Sequence, residues 1–230
     1  MSTENDENLS QISHIKANEM LNLTRDGYDT IAADWHSTRL TFWAELIDKI
    51  KVHIALDTKV LDVGCGNGRI LKVLSDYNLE YTGVDVSVEL IKLAQRDFPD
   101  FEFHTVDTKL EYLKDIVTEE SFDQVISIAV LHHIPPTYVH DWLKNIYKTL
   151  KPNTISIFTT WNLLKSTYTL DENNDAVIGF MHHRDVRYVH YYNYTEIREV
   201  FEKVGFEIVE ISDVSRESGM TNTVAVVKKS

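Results

Sequence analysis

Apolar residues fall along the chain in short strand-length runs, most of them followed by a stretch with helical spacing, and this alternation predicts an α/β fold built on a parallel sheet. The first run, Val60-Leu61-Asp62-Val63, passes through Gly64-Cys65-Gly66-Asn67-Gly68 into Ile70, Leu71, Val73 and Leu74, spaced as a helix. The second, Glu80-Tyr81-Thr82-Gly83-Val84-Asp85, ends in an acid, and the third, Phe101 to Val106, runs into Asp107. A fourth, Phe122 to Ala129, continues into Val130-Leu131-His132-His133-Ile134. Helical patterns at 87–97, 108–117 and 136–149 separate these strands. A fifth strand, Thr154 to Thr160, ends in Trp161-Asn162. Farther on, Ile197, Val200, Phe201 and Val204 mark a helix, and Phe206 to Ile211 a further strand. Before the first strand, Phe42, Trp43, Leu46, Ile47 and Ile50 recur at helical spacing, so a helix over 27–54 is expected to cover the sheet's open end.

Glycines spaced G-x-G-x-G at the carboxyl end of a parallel strand let backbone approach a nucleotide-like ligand that a Cβ would push away. A dinucleotide fingerprint needs its third glycine where Arg69 stands, and a phosphate-binding loop needs Gly-Lys-Ser/Thr, which is absent. The acids Asp62, Asp85 and Asp107 all fall where strands end, the edge at which open α/β sheets bind ligands.

Composition narrows the classes. The chain has 230 residues, 43% hydrophobic, with only four prolines and eight glycines, enough for one domain over 21–230. The acidic, polar segment 1–20 is expected to be a disordered tail, and it lacks the pattern of a secretory signal. The single cysteine, Cys65, excludes an internal disulfide and cysteine-based metal clusters, and a cytoplasmic location is expected. Met181-His182-His183-Arg184 has no supporting cysteine and no i,i+4 pair, so no metal site is expected. A net charge of −13 opposes binding to nucleic-acid phosphates except through a local basic patch or a partner.

Other residues carry candidate chemistry. Tyr28 and Arg39 lie where the covering helix would close over the site. Adjacent histidines point different ways, so one of His132 and His133 faces a ligand, and His133 is the choice. Trp161 at a strand end either stacks on a planar acceptor or packs in the core. The segment from Leu163, extending to about 192, reads as a substrate loop or as disordered. Arg187-Tyr188-Val189-His190-Tyr191-Tyr192 suits recognition of a planar anion, or else a protein interface. Asn193 and Glu196 fit a capping box for the following helix.

With VLDVGCGNG, TGVD, FHTVD and FDQVISIAVLHHI, the chain resembles the class I S-adenosylmethionine-dependent methyltransferases. The resemblance implies a seven-stranded Rossmann-like sheet with its last strand antiparallel, and S-adenosyl-L-methionine as cofactor. It places Asp62, Gly64 and Gly66 at the methionine part, Asp85 at the ribose and Asp107 near the adenine, with Tyr28, Cys65 and Ile128 on the cofactor side. More narrowly, YDTIAADWHSTR, ISIAVLHHI, Trp161 and RYVHYYNYTEI resemble the tRNA wobble-uridine carboxylate methyltransferases. That resemblance implies roles for Arg39, His133, Arg187 and His190 in catalysis and for Trp161, Tyr188 and Tyr192 in acceptor binding. It also implies tRNA and a small zinc-binding activator subunit, paired with the edge strand 101–106, as partners. The open alternative is a methyltransferase acting on a metabolite.

Overall fold

The computed structural model describes residues 4–39, 43–111, 113–217 and 219–230. A seven-stranded sheet forms its centre: β1 (Lys59–Val63), β2 (Glu80–Asp85), β3 (Glu102–Thr105), β4 (Gln124–Ser127), β5 (Ile155–Trp161), β8 (Phe206–Ser215) and β9 (Thr221–Lys229). The strand order is β3-β2-β1-β4-β5-β9-β8, all parallel except β9, which runs antiparallel to both its neighbours. Period-two alternation sorts side chains onto two faces. Leu61, Val63, Val125 and Phe158 pack with α4 (Pro136–Thr149) and α5 (Tyr194–Val204) on one side. Val60, Tyr81, Ile126 and Ile157 pack with α2 (Ala44–Lys51) and α3 (Val88–Asp97) on the other. The Asn193–Glu196 capping box is formed at α5. No described helix is long and apolar enough to cross a membrane.

Several expectations differ from what the chain does. Helix α1 spans Glu4–Thr38, so residues 4–20 are helical rather than a disordered tail. The helix is held by a narrow stripe of Ala17, Leu21, Thr24, Ile31 and Ala32, small and polar enough to escape a search for large apolar residues. The single cover helix expected over 27–54 is instead the end of α1 and the separate α2; Phe42 and residues 40–42 lie outside the described residues. After β1 a 3₁₀ turn, Arg69–Lys72, replaces the expected helix, because Ser75, Asp76 and Asn78 are poor helix formers and Asn78 turns left-handed at φ +51°. Among the described residues of 108–117 only Leu113–Asp115 is helical: Oδ1 of Asp107 accepts the N–H groups of Lys109 and Glu111, an alternative to the helix ladder.

The expected substrate loop of 163–192 is largely a β-hairpin, β6 (Asp175–Phe180) and β7 (His183–His190), over its own cluster of Leu163, Ile178 and Val189. This hairpin docks on α1. The Thr24 hydroxyl accepts the Tyr188 N–H at 3.1 Å, and farther along α1 Asp29 Oδ1 accepts the Ser87 hydroxyl at 2.6 Å. Gly27 makes the docking possible: a Cβ there would lie 1.7 Å from the carbonyl oxygen of Val186 on β7. Gly27→Ala should therefore lose about 1–3 kcal/mol of stability, roughly 2–4 °C in Tm per kcal/mol for a domain of this size, measured by thermal unfolding.

Candidate active site

A cavity of about 490 Å³ opens at the carboxyl ends of β1, β2 and β4, under α1 and the β6–β7 hairpin. One end is acidic. Asp85 is buried, its Oδ2 accepting the Gly66 N–H at 2.8 Å and its Oδ1 the Ser87 N–H at 2.9 Å. Each oxygen keeps a further lone pair for a ligand. Burial raises the Asp85 pKa, while the Ser87 and Gly66 amides oppose that shift. Asp62 accepts the Tyr81 hydroxyl at 2.6 Å; burial lifts its pKa to about 7, against that hydrogen bond and with help from the Asp85 charge. Gly64, at φ +78°, lets the turn pass Val130, whose Cγ2 would lie 2.2 Å from a Cβ there. Cys65 and Ile128 also line this end. Burial and the two carboxylates push the Cys65 thiol well up, so it is a spacer rather than a nucleophile.

The other end is cationic and aromatic. His133 lines the cavity, whereas His132 is fully buried behind it, stacked on Trp161 at 4.3 Å with a 23° interplanar angle. The His133 proton is fixed. Its Nδ1–H donates to the Tyr188 carbonyl at 2.7 Å, which leaves Nε2 to accept the Tyr28 hydroxyl at 2.9 Å. Burial drops the His133 pKa to about 3, the carbonyl bond resisting and the Arg187 charge contributing. Such a neutral imidazole positions Tyr28 and is a poor proton acceptor.

Arg187 is 4% exposed and stands over the rings of Tyr28, Trp161 and Phe180 at 5.6, 5.7 and 5.3 Å. One Nη2–H reaches the Gly179 carbonyl at 2.8 Å, while Nε has no partner. Among the described residues no carboxylate pairs with it. Arg39, at the exposed rim, lies 5.2 Å over the Phe180 ring, and burial of its guanidinium together with Arg187 lowers its pKa.

Four expected site residues lie elsewhere. Asp107 is absent from the cavity wall, although Val106, Thr108 and Leu110 line it; its Oδ1 caps the turn described above. Tyr188 and His190 alternate with Arg187 along β7, so they point to the opposite face. There both bond Asp175 Oδ1, at 2.6 and 2.7 Å. Tyr192 follows the same parity, and its hydroxyl donates to the Ile134 carbonyl at 2.7 Å. None of these three lines the cavity. Conversely, Trp35 and Arg69, which the sequence reading left without a role, line the cavity together, the guanidinium 4.9 Å over the indole. The signal was present: Trp35 lies one helical turn before Arg39, and Arg69 stands where a dinucleotide fingerprint has glycine. Ala129, beside Ile128 on the wall, is left-handed at φ +60°, backbone strain at the site that no pattern announces.

A family described as a methyltransferase domain matches residues 35–211, which include β1 to β5 and the cavity's acidic end. The chain belongs to this methyltransferase family. A ubiquinone biosynthesis O-methyltransferase of Rickettsia bellii is 29% identical over 174 residues, 72% of this chain and 69% of that relative. The methyltransferase also shares its fold with the 1,6-didemethyltoxoflavin-N1-methyltransferase of Burkholderia thailandensis, solved with S-adenosylhomocysteine, at a TM-score of 0.70 and 19% identity, covering 93% and 90% of the two chains. A phosphoethanolamine N-methyltransferase of Haemonchus contortus, solved with S-adenosyl-L-methionine, gives a TM-score of 0.65 at 18% identity, covering 90% of this chain and 60% of that one.

The methyl donor is S-adenosyl-L-methionine, and the acidic end fits it: a carboxylate with spare lone pairs for hydroxyls, a second carboxylate for a cation, and a glycine turn without obstructing side chains. Losing charge-assisted hydrogen bonds worth about 1.5–3 kcal/mol each, Asp85→Ala should weaken cofactor affinity at least about tenfold by calorimetry, its fold checked by circular dichroism. Were Asp62 to hold the cofactor's ammonium, the ionised carboxylate would be favoured and binding would release a proton. Affinity should then rise with pH up to about 7 and level off above, and Asp62→Asn should flatten that rise.

Proposed function

We propose that this methyltransferase acts on a small, planar acceptor that carries a negative charge. Arg187 carries the reading. A guanidinium always holds its charge, and burying one without a counter-charge is costly. An anionic ligand that reaches Arg187 beside Tyr28 and Trp161, both on the cavity wall, offsets that cost, and the two aromatic rings favour a planar body. Arg39 at the rim adds a second positive charge on the entry side. The named relatives support a small acceptor, since ubiquinone, toxoflavin and phosphoethanolamine precursors are small molecules.

Bound S-adenosyl-L-methionine supplies an electrophilic methyl group for in-line displacement. What the chain must do is aim an acceptor atom, and orientation is the larger part of that task. His133 is neutral, engaged on both nitrogens, and holds Tyr28 in place rather than removing a proton. The acceptor therefore arrives ionised, as a carboxylate, or is kept ionised by Arg187, as a phenolate would be.

The finer resemblance, to enzymes that methylate carboxymethyluridine in tRNA, receives no support from these relatives. A net charge of −13 weighs against it. The activator subunit expected on β3, which does lie at the sheet edge, stands or falls with that reading.

The test is methyl transfer from labelled cofactor to a panel of hydroxybenzoates, heteroaromatic carboxylates, their neutral amides, and tRNA with and without carboxymethyluridine. Transfer to small anions, and not to their neutral analogues, is expected; transfer confined to tRNA would overturn the proposal. Arg187→Ala should cut kcat/KM for the acceptor by at least about 30-fold, the loss of a buried charge pair worth roughly 2–5 kcal/mol, with cofactor affinity little changed. Because the His133 pKa is held near 3, kcat at saturation should stay flat across the range of about pH 6–8 where an ordinary histidine base would titrate.

A further inference from the structure

Outside the cavity, where the turn between β6 and β7 meets α1, three side chains converge. Nε2 of His183 lies 3.2 Å and Nε2 of His182 lies 3.7 Å from the same Asp34 oxygen, Oδ2. One ligand atom from each residue falls within 4.8 Å of the others. Neighbouring residues of a strand point to opposite sides. Here the turn at Met181, left-handed at φ +52°, brings both imidazoles to one side, their ring centroids 4.1 Å apart. The sequence expectation of no metal site weighed only the local run Met181-His182-His183-Arg184; the third side chain comes from α1, 149 residues from His183.

We propose that Asp34, His182 and His183 form a site for a divalent transition-metal ion, zinc by preference, that clamps the β6–β7 turn onto α1. Two imidazoles and a carboxylate are a borderline donor set that suits zinc. With metal–ligand bonds of about 2.0–2.1 Å, tetrahedral coordination sets neighbouring ligand atoms about 3.4 Å apart. The two observed separations, 3.2 and 3.7 Å, bracket that value. Hydrogen bonding accounts for only one of them, His183 to Asp34 at 3.2 Å, which is at the long end of its range. A charge-assisted N–H···O bond is typically about 2.7–2.9 Å long. His190 and Asp175 of this same hairpin meet that standard at 2.7 Å. His182 at 3.7 Å is beyond hydrogen-bond reach of Asp34.

Three protein ligands leave a fourth position for water, and the His182 side chain, 70% exposed, leaves an entry path. None of the three lines the cavity, so the ion would not touch the reacting groups. Its place is nonetheless close to them along the chain: Asp34 precedes Trp35, and the turn follows Phe180. An ion here holds the two walls of the acceptor end together.

The experiment titrates zinc chloride into the full chain, freed of metal by chelator, by calorimetry, and repeats it with cobalt(II) to read coordination by absorption. One equivalent of zinc binding at micromolar or tighter affinity is expected. Losing a ligand should exceed the about 10–100-fold effect usual for outer-shell partners, so Asp34→Asn, His182→Ala and His183→Ala should each abolish that step. His140→Ala, beside Asp141 on α4, should leave it intact. His182 is exposed enough that its variant keeps the fold even if the others do not. Absence of tight binding, or binding unchanged by His182→Ala, would overturn the site. Hydrogen exchange tests the clamp: amides of 175–190 should slow with zinc in the wild type and not in Asp34→Asn, and equal rates with and without zinc would overturn it.

Discussion

The contact between Gly27 on α1 and the Val186 carbonyl on β7 is the constraint on which the rest of the site depends. It brings a helix and a hairpin, neither part of the central sheet, within backbone distance above the strand ends. Every cationic and aromatic feature of the cavity's acceptor end follows from that approach. Tyr28 comes one residue after the glycine and Arg187 one residue after the carbonyl, so the close contact sets both in one wall. If α1 stood farther off, the Arg187 guanidinium would reach water, and having no carboxylate partner among the described residues would be inconsequential. The Thr24–Tyr188 and Tyr28–His133 hydrogen bonds fix the register of that approach, and Asp29 on Ser87 fixes the helix to α3.

Electrostatics divide the cavity in two. Asp62 and Asp85 are buried in backbone and hydroxyl donors at the strand ends, while Arg187 and Arg39 face them from the lid. A uniformly acidic site would repel an anionic acceptor, and a uniformly basic one would repel a cationic donor. With low dielectric around both groups, an acidic end and a cationic end favour ligand groups of opposite charge, which is the basis of the proposed anionic acceptor. The locked His133 tautomer belongs to this arrangement. A protonated imidazole beside Arg187 would add charge where the aromatic cage already holds one, and burial keeps it neutral.

The sheet was legible because its signal is local and repeated: strand-length apolar runs, each ending in glycine or acid, alternate with helical spacing. The same holds for Asp62, Gly64, Gly66 and Asp85, whose placement follows from where β1 and β2 stop. The lid was not legible. The buried stripe of α1 uses Ala17 and Thr24 where a search expects large apolar residues. The hairpin hides its alternation behind Gly179 and the Met181-His182 turn. Within β7 the chemistry-bearing run was recognised but its parity was not applied. Arg187 faces the cavity, and so Tyr188 and His190 cannot; reading all of them as one recognition patch treated a strand as a surface.

This division separates what fixes the fold from what fixes the acceptor. The acidic end is made by strand termini that any chain of this topology must have, so it tracks the family. The cationic end is made by α1, the hairpin, the turn after β4 and the last residue of β5, so it can differ between chains that share the sheet. Arg187 shows the limit of that freedom. Its strand packs through Val189 into the hairpin's own core and through Tyr188 and His190 onto Asp175, so the guanidinium is held by a unit that must fold as a whole.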